Sequence, residues 1–203
     1  MAEPITVEVF TDFVCPWCYL CTPRVEKLSK NFAVEIRWVY FPLHPETPAE
    51  GLALKDLFAG RAIDIEAVHS RLKSLMDSEG LPFNHRTHTF NSRLAQELAK
   101  GFDGVRDLLY SAYFRDARNI GDMNVLLDVA QSAGIPLDAA RSTLEERTFK
   151  AAVDADWARA RSYGITGVPS FVAGGQKLVG AHPYEVLERF ALAAGAARRG
   201  AEG

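Results

Sequence analysis

The chain has 203 residues, 48% of them apolar, with 26 acidic and 23 basic side chains and a net charge of −3. This length suits one large domain or a domain with an insertion, and the apolar share is enough for a substantial core. The slight acidic excess argues against a nucleic-acid partner, which needs a basic surface, and no apolar run approaches the ~20 residues of a membrane span.

The first residues, Met1-Ala2-Glu3-Pro4-Ile5-Thr6, have no basic segment and no long apolar stretch. They do not read as a secretory signal, so the expected location is cytoplasmic, where thiols stay reduced. Ile5, Val7 and Val9 alternate with Thr6, Glu8 and Phe10, which predicts a strand over 5–10. Pro16 then opens a helix over about 16–30, since the first helical position tolerates proline. Val34, Ile36, Trp38 and Tyr40 alternate again and predict a second strand. Strand, helix and strand in this order form a βαβ unit, parallel and right-handed.

Pro42, Pro45 and Pro48 close that unit. From about residue 50 to 163 the apolar positions recur at three and four, as in Ile65-Val68-Leu72-Leu75, Leu94-Leu98, Val105-Leu108-Leu109-Ala112 and Leu126-Val129-Ala130. Helices are expected there, separated at Gly80-Leu81-Pro82, Gly101, Gly121 and Gly134-Ile135-Pro136. Ser170-Phe171-Val172 and Lys177-Leu178-Val179 flank Gly174-Gly175 and read as a hairpin. Pro183 opens a last helix ending near Gly195, after which the tail through Gly203 is expected to fray. The order βαβ, helical block, ββα predicts one α/β core at 1–48 and 164–203, split by an all-helical insertion at 49–163.

All three cysteines, Cys15, Cys18 and Cys21, lie within seven residues directly after the first strand. A Cys-x-x-Cys pair at a strand-to-helix junction points to redox chemistry. With Cys15 at the helix N-cap, its sulfur is expected to face the free N–H groups of Trp17 and Cys18, and the helix end favours an anion there. Cys15 is therefore assigned as nucleophile, and Cys18, one turn in, as the resolving thiol. A zinc site lacks a second cysteine pair, although His85 and His88 have a His-x-x-His spacing. An iron–sulfur cluster lacks its fourth cysteine. Cys21 reads as a small buried apolar side chain, with a third redox thiol as the alternative. Asp12 is read as capping the helix start, with a proton relay to Cys18 as the alternative.

The segments Phe10-Thr11-Asp12-Phe13-Val14-Cys15-Pro16-Trp17-Cys18-Tyr19, Gly164-Ile165-Thr166-Gly167-Val168-Pro169-Ser170-Phe171 and Val179-Gly180-Ala181, set around a helical insertion, resemble the DsbA family and within it the FrnE-like branch. The resemblance covers nearly the whole chain. It implies a thioredoxin-like fold whose insertion caps the active site, and a cis Pro169 with Val168 facing the Cys15–Cys18 pair. It implies a thiol–disulfide oxidoreductase in which Val168 and Pro169 bind substrate, beside Trp17. Core or rim packing explains Trp17 equally well.

No metal and no resident cofactor are expected, with glutathione at most a thiol co-substrate. The expected partners are proteins or small molecules carrying thiols or disulfides, and the chain is expected as monomer or homodimer. Kappa-class glutathione transferases and hydroxychromene-carboxylate isomerases are similar, but carry serine where this chain has Cys15. Their Gly-Asn-Asp-Arg-like segment reads Gly180-Ala181-His182-Pro183 here. A glutathione-dependent isomerase or transferase is the alternative activity, and a redox-sensing binding or chaperone module the non-enzymatic one. Cys21 departs from the FrnE-like pattern, where glycine is more usual. Asn91 and Arg93 are weaker candidates for ligand contact, His182 before the last helix is expected to be exposed, and His44 and His69 have no partner visible in the sequence.

Overall fold

The structure is a computed structural model that describes residues 3–200. In chain order its elements are β1 (Ile5–Thr11), α1 (Pro16–Asn31), β2 (Val34–Tyr40), β3 (Leu52–Ala53), α2 (Leu54–Leu57), α3 (Ile65–Ser78), β4 (His88–Thr89), α4 (Arg93–Gly101), α5 (Val105–Phe114), α6 (Met123–Ser132), α7 (Leu137–Glu145), α8 (Lys150–Ser162), β5 (Ser170–Ala173), β6 (Gln176–Val179) and α9 (Tyr184–Ala193). Two compact units result, one running through Phe41 and resuming at Trp157, the other Pro42–Asp156. Pro42, Pro45 and Pro48 thus fall in the second unit. Among the described residues no helix is long and apolar enough to cross a membrane.

In the first unit the strands form a sheet in the order β2-β1-β5-β6. β1 runs parallel to β2, with Val7 beside Ile36 and Val9 beside Trp38. It runs antiparallel to β5, and β5 pairs with β6 as the expected hairpin. Val7 and Val9 project from β1 into a core with Val25 and Leu28 of α1, Phe171 of β5 and Leu187 of α9. Leu28, Phe171 and Leu187 are fully buried there, and each such side chain contributes about 1.5–3 kcal/mol. The opposite face of β1 carries Phe10, which packs with Val39, Val172, Ile165 and Ala160 of α8. Both faces of β1 are therefore covered, and Glu8 on the second face is only 5% exposed.

Helix α1 carries Pro23 in its interior, which removes one backbone N–H and leaves the Tyr19 carbonyl without its i+4 donor. The Thr22 hydroxyl supplies the missing bond, donating to the Tyr19 carbonyl at 2.9 Å. The expected fraying after Gly195 does not hold through Arg199. Its N–H donates to the Asn31 carbonyl at 2.8 Å, and its Nε donates to the carbonyls of Ser29 and Phe32. Residues 201–203 lie outside the described part.

The Gly174-Gly175 turn has φ +52° and +74°, the left-handed pair that a two-residue hairpin turn requires. A Cβ on Gly174 would also stand 2.5 Å from the Ala194 carbonyl oxygen, which is backbone and cannot swing away. Gly174→Ala is expected to destabilise the protein by about 1–3 kcal/mol, read as a lower urea midpoint at unchanged slope.

The second unit is not purely helical, contrary to the sequence reading. β3 and β4 form a short antiparallel ladder, Leu52 opposite Thr89 and Ala53 opposite His88. Two residues per strand are too few to show a period of two, so nothing in the pattern marks them. Side-chain caps start two helices: Asp64 accepts the Ala67 N–H at α3, and Asp122 accepts from Asn124 and Val125 at α6. Tyr110, Tyr113, Phe114, Phe83 and Leu98 are fully or almost fully buried, and the Phe83 and Phe114 rings stack at 5.7 Å.

Candidate active site

β1 ends at Thr11 and α1 begins at Pro16, so residues 12–15 form the turn that carries the dithiol. Asp12 is fully buried and holds that turn. Its Oδ1 accepts the Val14 N–H at 3.1 Å, and its carbonyl accepts the Cys15 N–H at 3.1 Å. The carboxylate therefore caps the turn before the helix rather than the helix itself, because it reaches an N–H only two residues on.

Cys15 is the N-cap residue in extended conformation, φ −89° and ψ 112°, with Pro16 at the first helical position. Its sulfur makes no capping bond to the helix N–H groups, which corrects the expectation from the sequence. Pro16 has no N–H to offer, and the Cys18 and Tyr19 N–H groups are taken by the Cys15 carbonyl at 3.1 and 3.2 Å. The thiol instead donates to the Val168 carbonyl at 3.4 Å, across 153 residues of sequence.

Cys18 sits one turn in, and like Cys15 it is 3% exposed. Burial pushes its thiol well above the ordinary value, and the neighbouring Cys15 sulfur adds to that push. The Thr11 hydroxyl and a backbone hydrogen bond at Asp12 act the other way, and burial prevails. Cys18 is thus held as a thiol, with a hydroxyl in place to stabilise its thiolate when one forms. Thr11 was not singled out in the sequence; its position at the last residue of β1, four before the N-cap Cys15, is the only signal that could have found it. Cys21 is 2% exposed and packs in the apolar cluster between α1 and the sheet.

The second half of the site comes from the loop after α8. The Val168–Pro169 bond is cis, as the resemblance implies. The Ser170 hydroxyl donates to the Gly167 carbonyl at 2.8 Å, closing the turn around it. The Pro169 carbonyl accepts the Gly180 N–H at 2.8 Å, and Gly180 has φ +104°, open only to glycine at low cost. The Val168 carbonyl therefore points at Cys15 from a loop held on both sides. Trp17 is half-buried in the first turn of α1, beside the dithiol.

His182 is half-buried rather than exposed: its Nε2 lies 2.8 Å from the Val179 carbonyl, and its own carbonyl accepts from Arg24 of α1 at 2.7 Å. Asn91 and Arg93 have structural partners in the second unit. The Asn91 amide donates to the carbonyls of Pro45 and Thr47. Arg93 pairs with Glu97 at 2.6 Å and Asp154 at 2.8 Å. His69 stacks on His85 at 5.0 Å, and His85 lies 3.3 Å from Glu66.

A family model described as the DSBA-like thioredoxin domain matches residues 6–191. The chain is similar to a probable DsbA oxidoreductase of Streptomyces coelicolor, with 28% identity, a TM-score of 0.85, and 94% of this chain and 89% of that one covered. It is similar in fold to the cytosolic disulfide reductase DsbM of Pseudomonas aeruginosa, with 18% identity, a TM-score of 0.64, and 93% and 98% covered. It is 26% identical over 192 residues to the uncharacterized protein YwbO of Bacillus subtilis, covering 91% of this chain and 94% of that protein.

Proposed function

Because the chain belongs to the DSBA-like thioredoxin domain family, we propose that it is a thiol–disulfide oxidoreductase working through Cys15 and Cys18. The observation that carries this reading is the Cys15 sulfur 3.4 Å from the Val168 carbonyl beside a cis proline, with a buried thiol at Cys18 one helical turn away. Of the three cysteines, Cys15 is the one at the helix N-cap, while Cys18 and Cys21 lie within the helix.

The exchange balances in two steps. Cys15, having lost its proton, attacks one sulfur of a substrate disulfide; that S–S bond breaks, and the departing sulfur takes up a proton. Cys18 then gives up its proton and attacks the Cys15 sulfur of the mixed disulfide. The second substrate thiol leaves and is protonated, and the enzyme holds the Cys15–Cys18 disulfide. The substrate is reduced by two electrons and the enzyme oxidised by two. The reverse direction uses the same bonds, and the relative reduction potentials decide which one runs. Val168 and Pro169 offer backbone groups to an extended substrate, and Trp17 borders it. No resident cofactor takes part; two molecules of a small thiol such as glutathione return the pair to the dithiol in the cytoplasm and leave as their own disulfide.

Removing the resolving thiol tests the roles. With Cys18→Ser, the second step has no nucleophile, so the mixed disulfide at Cys15 is expected to accumulate, visible as a substrate adduct by mass spectrometry. If no adduct forms, or it maps to Cys21, the assignment of Cys15 and Cys18 is wrong.

A further inference from the structure

A second feature of the first unit lies away from the dithiol, toward the start of β1. The register aligns one row of side chains across all four strands. Arg37 of β2 lies beside Glu8 of β1, Glu8 opposite Val172 of β5, and Val172 opposite Lys177 of β6. The last turn of α8 adds Arg159, and Tyr163 follows directly after that helix. Together these residues line a cleft of about 530 Å³, with Gln176 at the hairpin turn. Cavities of roughly 300–1,000 Å³ are the size that small molecules occupy.

The charges in the cleft do not cancel. Glu8 is the only acidic side chain lining it, against Arg37, Arg159 and Lys177. Both Glu8 carboxylate oxygens are already held by Arg159, Nε on Oε1 and Nη2 on Oε2 at 2.7 Å, a bidentate pair buried on the Glu8 side. Arg37 approaches Glu8 only to 3.7 Å, with its side chain 53% exposed. Lys177 reaches only the Tyr163 backbone carbonyl at 3.4 Å. Two cations on the outer strands, about 14 Å apart at the backbone by strand spacing, thus flank a neutralised pair. Tyr163 and Gln176 add further donors. In a chain of net charge −3, this is a local positive excess in a concave site, where low-dielectric walls strengthen the field.

We propose that this cleft binds a small polyanion whose anionic ends, phosphate or carboxylate, engage Arg37 and Lys177 while its middle lies over the Glu8–Arg159 pair. The inference is independent of the dithiol chemistry. The size of the cavity favours a small molecule over a folded partner, and guanidinium pairing suits either anionic group.

Calorimetric titration of the intact protein at low ionic strength, with inorganic pyrophosphate in one arm and citrate in the other, tests this. Saturable binding of either probe is expected, the arm that binds identifying the anionic group. The double variant Arg37→Gln/Lys177→Gln should weaken it at least tenfold, with the unfolding midpoint of the free protein unchanged because both side chains are exposed. Lys30→Gln, which removes a surface cation from α1, should leave the affinity as it was. No saturable heat with millimolar pyrophosphate or citrate would overturn the proposal. So would equal affinity in the double variant, or an equal loss in Lys30→Gln, which would mark the binding as non-specific.

Discussion

Cys15→Ser is expected to lower thiol–disulfide exchange with a dithiol substrate by on the order of 10³-fold or more. A serine hydroxyl stays protonated where a thiol ionises, and oxygen does not form the mixed disulfide on which both steps depend. The substitution is nearly isosteric and Cys15 needs no side-chain capping bond, so α1 should keep its start at Pro16. The serine hydroxyl can still donate to the Val168 carbonyl, which leaves the loop in place. Loss of exchange with unchanged circular dichroism and unfolding midpoint would therefore report chemistry rather than folding. Exchange at the wild-type rate would sink the oxidoreductase reading. The same variant separates the glutathione-dependent alternative, for which the resemblance implies serine at this position. Glutathione binding and isomerisation that survive the change would favour that class.

The βαβ unit was legible because its signals are local. Alternation in 5–10 and 34–40, and Pro16 where a helix accepts it, sit within forty residues. The hairpin was legible from Gly174-Gly175, whose positive φ values are the ones such a turn demands. Glu8 was not. In an alternating strand a glutamate reads as facing solvent, and period two tells only that the faces differ. Whether both are covered depends on α8, which brings Arg159 from 151 residues away. Helix α8 itself, Lys-Ala-Ala-Val-Asp-Ala-Asp-Trp-Ala-Arg-Ala-Arg-Ser, shows little amphipathic patterning, because ion pairs such as Lys100–Asp156 and Arg159–Glu8 anchor it as much as apolar contacts do.

At the dithiol the sequence located both sulfurs and the proline loop, but misassigned the partner of the first. A general rule about helix N-termini favoured N–H groups. The particular chain has proline at the first helical position, the Cys18 and Tyr19 N–H groups on the Cys15 carbonyl, and the Val168 carbonyl delivered to the sulfur by the cis-proline loop. Long-range placement decided a contact that local rules could not.

The second large effect concerns the other unit. Glu97 on α4 is fully buried, and its carboxylate is clamped by two guanidiniums. Arg147 donates Nε to Oε2 and Nη2 to Oε1, both at 2.7 Å, and Arg93 donates Nε to Oε1 at 2.6 Å. Arg147 does so from a left-handed backbone, φ +55°, a conformation that costs a non-glycine residue about 1 kcal/mol. Burial alone would raise the Glu97 carboxyl, but the hydrogen bonds and charges of Arg147 and Arg93 prevail and hold it below its ordinary value. Arg147→Met keeps most of the side-chain volume and removes one clamp, leaving a buried carboxylate half compensated. It is expected to cost about 3 kcal/mol, the lower end for a broken buried pair because Arg93 remains. The pH dependence follows from the sign. A folded-state value below the unfolded one means that the Glu97 contribution is fully present above the ordinary glutamate range and is lost as pH falls through the lowered value. Without Arg147 the burial effect gains weight and the carboxyl protonates sooner, which relieves the cost. The gap in urea midpoint between wild type and Arg147→Met should therefore be widest near neutral pH and narrow as pH falls through the ordinary glutamate range toward the lowered value. A gap that stays constant across that range would mean the loss comes from packing, not from the charge on Glu97.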